Sequence, residues 1–229
     1  MNEEDIRDSI DRGWRHWDAI DQALTAGEID ESGWYRAMQA VLVPAYLSAT
    51  TPQAQSGHSG DETTWKQVRG FVVEAIHRSG TLVDIGCANG HFIETVQRWT
   101  AERGLTVEPY GVDLSPDLIE LAKTRLPYWK DRLWVGNGLD WIPPFRFDFV
   151  HLQEFGYVPA HRRQQLVEHL LRDVCRHDGR LLIGPFNERR ATKVTETEMS
   201  AWGYCPAGVI ERPHRLPEVA RRLIWLHAV

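Results

Sequence analysis

The stretch Thr81 to Phe92, TLVDIGCANGHF, constrains the fold of this chain more than any other. An apolar run carries one acid, Asp84, then small residues stand at Gly86, Ala88 and Gly90, and helical periodicity begins at His91. Glycine lacks the Cβ that forbids most residues a positive φ, so such a run turns a backbone sharply from strand to helix. The helix that follows leaves unpaired N–H groups facing whatever lies above the strand end. The stretch therefore predicts the first strand–turn–helix unit of an open α/β sheet. In such a sheet the ligand crevice lies at the carboxyl edge of the strands.

The texture downstream agrees. TVEPYGVDLS, RLWVGNG, RFDFVHL and GRLLIGPF are strand candidates; PDLIELAKTRLP, HRRQQLVEHLLRDVCRHDG and TETEMSAWG are helical ones. This alternation predicts a mostly parallel sheet with helices on both faces. PAGVIERP and RRLIWLHAV close the chain as two strands with no room for a helix between them, so they are expected to pair antiparallel at an edge. Upstream, Ile6, Ile10, Trp14, Trp17, Ile20 and Leu24 recur every three or four residues, as in an amphipathic helix. A second helical segment, DESGWYRAMQAVLVPAYL, is expected to break near Pro44. The polar loop Ser48–Asp61 follows, long for a compact domain, and a helix is expected through TTWKQVRGFVVEAIHR. The division expected is a helical cap over 1–65 and an α/β domain over 66–229.

Composition narrows the function. Three cysteines with no CxxC pair argue against a disulfide framework or zinc site. No apolar run approaches a membrane span, and the acidic start lacks a signal core, so a cytoplasmic protein is expected. A net charge of −6 disfavours an obligate nucleic-acid binder. The arginine pairs at 162–163, 189–190 and 221–222 read as solvated charges rather than a phosphate-binding patch.

A dinucleotide site needs a third glycine where this chain has His91, and Ala88 holds the middle place. The lysine of a phosphate loop is missing too. Two further strand ends carry suitable groups. Asp113, 23 residues past Gly90, suits ribose hydroxyls, and Asn137 beside Gly138 suits an adenine edge. With these in order, the chain from about Val68 resembles the class I S-adenosylmethionine-dependent methyltransferases, in the style of small bacterial enzymes. VDIGCANG looks like their first motif, GVDLS their second, GNGLDW their adenine turn, and FDFVHLQEF their fourth strand. The resemblance implies a Rossmann-like seven-stranded sheet, mostly parallel, with its last strand antiparallel. It implies S-adenosylmethionine against Asp84, Gly86, Cys87, Ala88, Gly90, Asp113, Leu114, Asn137 and Gly138.

Methyl transfer needs a nucleophile in line with the methyl carbon, and a base where the acceptor is a hydroxyl or protonated amine. His151 at the fourth strand end is the leading base, with Glu154 and His58 behind it. Trp34, Tyr46 and Tyr157 are expected to line the acceptor pocket, under a lid formed by the 48–61 loop; a static cap is the competing picture. No N/D-P-P-Y/F follows the fourth strand, no cysteines suit attack on a pyrimidine, and acids are too sparse there for a metal. The reading is O- or N-methylation of a small molecule by a monomer or homodimer. An RNA or protein methyltransferase, and an inactive cofactor-binding partner protein, remain alternatives.

Overall fold

The structure, a computed structural model, describes residues 17–228. Ile6, Ile10 and Trp14 lie outside them. In chain order the elements are helix α1, described over 17–25, α2 (Glu31–Ser48), α3 (Glu62–Arg69), β1 (Gly80–Ile85), α4 (His91–Ala101), β2 (Val107–Asp113), α5 (Pro116–Arg125) and β3 (Leu133–Val135). Then come β4 (Phe147–Leu152), α6 (Arg163–His169), β5 (Cys175–Arg189), α7 (Val194–Ala201), β6 (Gly208–Pro213) and β7 (Val219–His227). One seven-stranded sheet runs β3-β2-β1-β4-β5-β7-β6. The pairs from β3 to β5 are parallel, and β7 is antiparallel to both neighbours.

The central strands are buried on both faces, which is why β1 and β4 read as near-continuous apolar runs. Alternate residues enter separate cores. Leu82 and Phe149 join Trp65, Phe92 and Trp99 on one face, and Val83 and Val150 join Leu166 and Leu170 on the other. Strand order reverses between β1 and β4, so a crevice opens above their carboxyl ends.

Several sequence expectations change in detail. The two closing strands do pair antiparallel, but β7 lies inside the sheet and β6 alone forms the edge. Their patterns differ accordingly, nearly all buried in β7 and strictly alternating in β6. Helix α2 runs straight through Pro44. Both Pro44 and Ala40 face solvent, so water can satisfy the Ala40 carbonyl that the proline leaves unbonded. The helix expected through 161–179 stops early. It ends at His169, a wider turn spans Leu170–Val174, and β5 begins at Cys175. The arginine pairs are not simply solvated. Arg222 is buried between Glu188 at 2.8 Å and Glu196 at 2.6 Å, Arg163 meets Glu198 at 2.9 Å, and Arg190 meets Glu211.

At the amino ends of the strands, opposite the crevice, buried Asp148 on β4 staples β1. Its carboxylate accepts the Thr81 amide at 2.9 Å and hydroxyl at 3.1 Å, and pairs with Arg78 at 3.0 Å. Replacing Asp148 by Ala strands the amide and cation together, at a cost of about 2–3 kcal/mol. Thermal denaturation of Asp148→Ala is expected to show a midpoint lowered by about 5–10 °C.

Candidate functional site

The crevice is built from the turn after β1. Gly86, Ala88 and Gly90 all have positive φ, at 83°, 47° and 75°. The turn is fastened to the neighbouring strand: the amides of Gly86 and Cys87 donate to the Val112 carbonyl at 2.8 and 3.1 Å. Asp113 clamps the turn from above. One carboxylate oxygen accepts the Ala88 amide at 2.9 Å, and the other accepts the Ser115 amide at 2.8 Å, at the start of α5. An ionised carboxylate offers about four lone-pair sites, so Asp113 keeps acceptor capacity toward the crevice. Burial raises its pKa in spite of these two bonds. A Cβ on Gly86 would meet nothing within 4 Å, so the backbone there opens onto free space. A Cβ on Gly90 would stand 2.6 Å from the Leu126 side chain, so this glycine serves close packing of α4. At the β3 end the Asn137 carbonyl oxygen accepts the Leu139 amide at 3.1 Å, holding the turn through Gly136 and Gly138.

Asp84 and His151 stand side by side in the parallel register of β1 and β4. His151 Nδ1 meets the Asp84 carboxylate at 2.6 Å, and Nε2 donates to the Gly184 carbonyl of β5 at 2.7 Å. The ring is buried and stacks on Phe92 with centroids 4.1 Å apart. Both ring nitrogens are engaged, so neither is free to take a proton from an acceptor. The expectation of a general base there gives way to a buried brace across three strands. The ring does line the crevice, with its two nitrogens held by Asp84 and Gly184.

The crevice is about 200 Å³. Of the expected cofactor residues, Asp84, Gly86, Cys87, Ala88, Asp113, Leu114, Asn137 and Gly138 line it, and Gly90 stands behind the turn. Burial pushes the Cys87 thiol well above its usual range, which leaves it unreactive. Tyr46 and Tyr157 line the opposite wall. Burial pushes both hydroxyls upward. Trp34 does not reach the crevice. Its indole N–H donates to Asp21 at 2.6 Å and the ring packs into the junction of α1 and α2, while the next residue, Tyr35, lines the site instead. His58 also misses it, lying edge-on to Trp65 at 5.6 Å, with burial and the nearby Arg69 lowering its pKa. Glu154 makes no hydrogen bond or ion pair among the described residues. Burial raises its pKa, against the pull of Arg69 and Arg163.

The 48–61 loop roofs the turn, and one residue holds it there. Asn89 is fully buried; its amide donates to the Pro52 carbonyl at 3.0 Å and Gln55 at 3.2 Å, and its carbonyl oxygen accepts the Ser56 hydroxyl at 2.5 Å and the His91 amide at 3.0 Å. Asn89, Arg69 and Gln153 are the site residues that sequence reasoning did not single out. Asn89 had a readable signal, a polar residue inside a turn of otherwise small ones. Arg69 had none, since a helix-end arginine is ordinarily solvated. Here it lines the crevice, donates to the Pro185 carbonyl at 2.5 Å and lies over the Trp65 ring, with its Nε buried and unpartnered. Gln153 donates to the same carbonyl.

Residues 82–179 match the family model of the methyltransferase domain. That segment is a methyltransferase domain of the class I S-adenosylmethionine-dependent type. S-adenosylmethionine is the cofactor of that domain. Similar solved structures include the N-methyltransferase NodS of Bradyrhizobium japonicum WM9 in complex with S-adenosylhomocysteine, at 13% identity and TM-score 0.57, covering 82% of this chain and 97% of that one. The 1,6-didemethyltoxoflavin-N1-methyltransferase of Burkholderia thailandensis matches at 13% identity and TM-score 0.60, covering 87% and 91%. The geranyl diphosphate C-methyltransferase of Streptomyces coelicolor A3(2) matches at 16% identity and TM-score 0.51, covering 81% and 88%. At these identities the likeness is one of fold. Among the described residues, no helix is long and apolar enough to cross a membrane.

Two outcomes are expected of this methyltransferase site. His151→Phe leaves the Asp84 carboxylate buried and unpaired, which should lower unfolding free energy by about 3–5 kcal/mol in a denaturant melt; a free general base would leave stability untouched. Asn89→Ala removes three side-chain bonds to the roof, each worth about 1 kcal/mol. Hydrogen exchange across 50–58 should then speed up at least tenfold.

Proposed function

We propose that this protein transfers a methyl group from S-adenosylmethionine to nitrogen or oxygen of a small molecule held between α2 and the end of β4. The observation that carries the reading is the convergence of three strand ends on one crevice: the Asp84–Ala88 turn, Asp113, and Asn137 with Gly138. The residues fit the cofactor. Gly86 leaves open backbone, Asp113 has spare acceptor capacity, and the Tyr35 hydroxyl and Arg69 Nε are buried without partners. Asp113 is assigned the ribose hydroxyls and Asn137 with Gly138 the adenine. The turn from Asp84 takes the methionine moiety, with Arg69 as the cation for its carboxylate.

When bound, the cofactor supplies an electrophilic methyl group on a sulfonium. The chain's own part is positioning and exclusion of water. The brace of His151 fixes Asp84, the clamp of Asp113 fixes the turn, and the roof held by Asn89 shields the reacting centre. In this proposal the described residues 17–65 act as a cap over the α/β domain. A small-molecule acceptor is supported by the crevice itself, narrow and walled by Tyr35, Met38, Leu42 and Tyr46 of one helix. It is also supported by the small-molecule methyltransferases among the similar folds. Internal partners for Arg163, Arg190 and Arg222 count against an arginine docking face for RNA or protein.

Calorimetry tests the reading. S-adenosylmethionine and S-adenosylhomocysteine are expected to bind, and NAD is not. In Asp113→Ala, loss of the ribose acceptor and of the Ala88 clamp, about 1.5–3 kcal/mol, should raise the dissociation constant ten- to a hundredfold with the circular dichroism spectrum unchanged. Heat from NAD and none from either sulfur compound would overturn the assignment.

A further inference from the structure

We infer that the methyl acceptor is an uncharged aromatic nitrogen base, such as a fused azaheterocycle, whose own lone pair attacks the methyl carbon with no protein base. This rests on the methyltransferase reading and adds the substrate class. What carries it is the state of the ionisable side chains that line the crevice: Asp84, Cys87, Asp113, His151, Arg69 and three tyrosines. His151 Nε2 donates to the Gly184 carbonyl, so the proton between Nδ1 and Asp84, 2.6 Å apart, fills that pair. Asp113 holds the Ala88 and Ser115 amides at 2.9 and 2.8 Å and is assigned the ribose. Arg69 is a permanent cation, assigned the carboxylate of the cofactor. Burial raises the Cys87 thiol and the hydroxyls of Tyr35, Tyr46 and Tyr157 above their ordinary values, so all four keep their protons at neutral pH. His58 and Glu154 do not line the crevice. Among the described residues, then, no group there is free to take a proton from an acceptor.

Acceptors differ in what they need from such a site. An alcohol, or an aliphatic amine that arrives as its ammonium ion, must lose a proton before or during attack. A phenolate or carboxylate brings a lone pair with a negative charge, and burying that charge needs a counter-ion. Among the described lining residues Arg69 is the cation, and the cofactor takes it. A ring nitrogen, or an amine on an aromatic ring, is unprotonated at neutral pH and brings its lone pair without charge. That pair forms the new N–C bond as the methyl–sulfur bond breaks, and the electrons of the broken bond stay on sulfur as a neutral thioether. The positive charge passes from sulfur to nitrogen, and any N–H proton leaves afterwards to water. The α2 wall suits a flat body of this kind: Tyr35, Met38, Gln39, Leu42 and Val43 present aromatic, apolar and amide surface with no charge.

Matched bicyclic probes test the inference on the full chain: isoquinoline, tetrahydroisoquinoline and 2-naphthol at equal concentration, each with methyl-labelled S-adenosylmethionine at neutral pH. Label is expected to reach isoquinoline at least tenfold faster than the other two. With no protein base to titrate, kcat/KM for isoquinoline should stay level, within about twofold, from about pH 7 to about pH 9. Transfer to 2-naphthol or tetrahydroisoquinoline as fast as to isoquinoline overturns the inference. So does no transfer to isoquinoline, or a rate that climbs through a single ionisation in that range. Calorimetry with S-adenosylhomocysteine keeps the two readings apart. Binding alongside any of those three outcomes leaves the methyltransferase reading standing and removes only the acceptor class; failure to bind removes both.

Discussion

Asp84 and His151 face each other at the centre of the sheet, 2.6 Å apart and almost wholly buried, and the Gly184 carbonyl closes the row from β5. Everything above them depends on that contact. Parallel strands are joined by crossovers, so nothing local holds the ends of β1, β4 and β5 in line. A polar row perpendicular to the strands does. Its members are expensive to bury singly and tolerable only together, because each satisfies the next. The same row aims the turn after Asp84, from which the crevice is built, and stacks His151 on Phe92 at the first turn of α4.

A second layer of constraint connects the floor of the crevice with its roof. Asp113 ties the turn to β2 and α5, and Asn89, inside the same turn, ties it to the 48–61 loop. Arg125 of α5 reinforces the turn from behind, donating to the Asn89 carbonyl at 2.7 Å and pairing with Glu94. The His91 contact and Arg125 hold the Glu94 carboxyl down at about 2. The loop is thus bonded to the very backbone that would contact a cofactor. Motion of the loop and the shape of the turn are coupled through one amide side chain.

Charge is arranged differently at the two ends of the strands. At the amino ends Asp148 is met by Arg78 and by Thr81, and the group is closed. At the carboxyl ends Arg69, Tyr35 and Asp113 keep unused capacity around the crevice. Uncompensated polar groups lower stability, so their concentration at one edge marks where binding energy is to be recovered.

Much of this was legible in the sequence. The period-two and period-3.6 patterns after Thr81 determined the order of strands and helices, because burial on one or both faces leaves its trace in every element. Gly86, Asp113 and Asn137 were legible because each closes a strand, where chain direction alone carries a side chain to the crevice. Tertiary structure decided what depends on rotamer and partner. His151 was bound to Asp84, Trp34 was drawn to Asp21, and His58 was set against Trp65, none of which periodicity encodes. Arg69 and Asn89 became site residues only when segments distant in the chain closed around them, Pro185 in one case and Pro52 to Ser56 in the other. A local pattern reports which way an element faces; it holds no record of which distant group will meet a particular polar atom there.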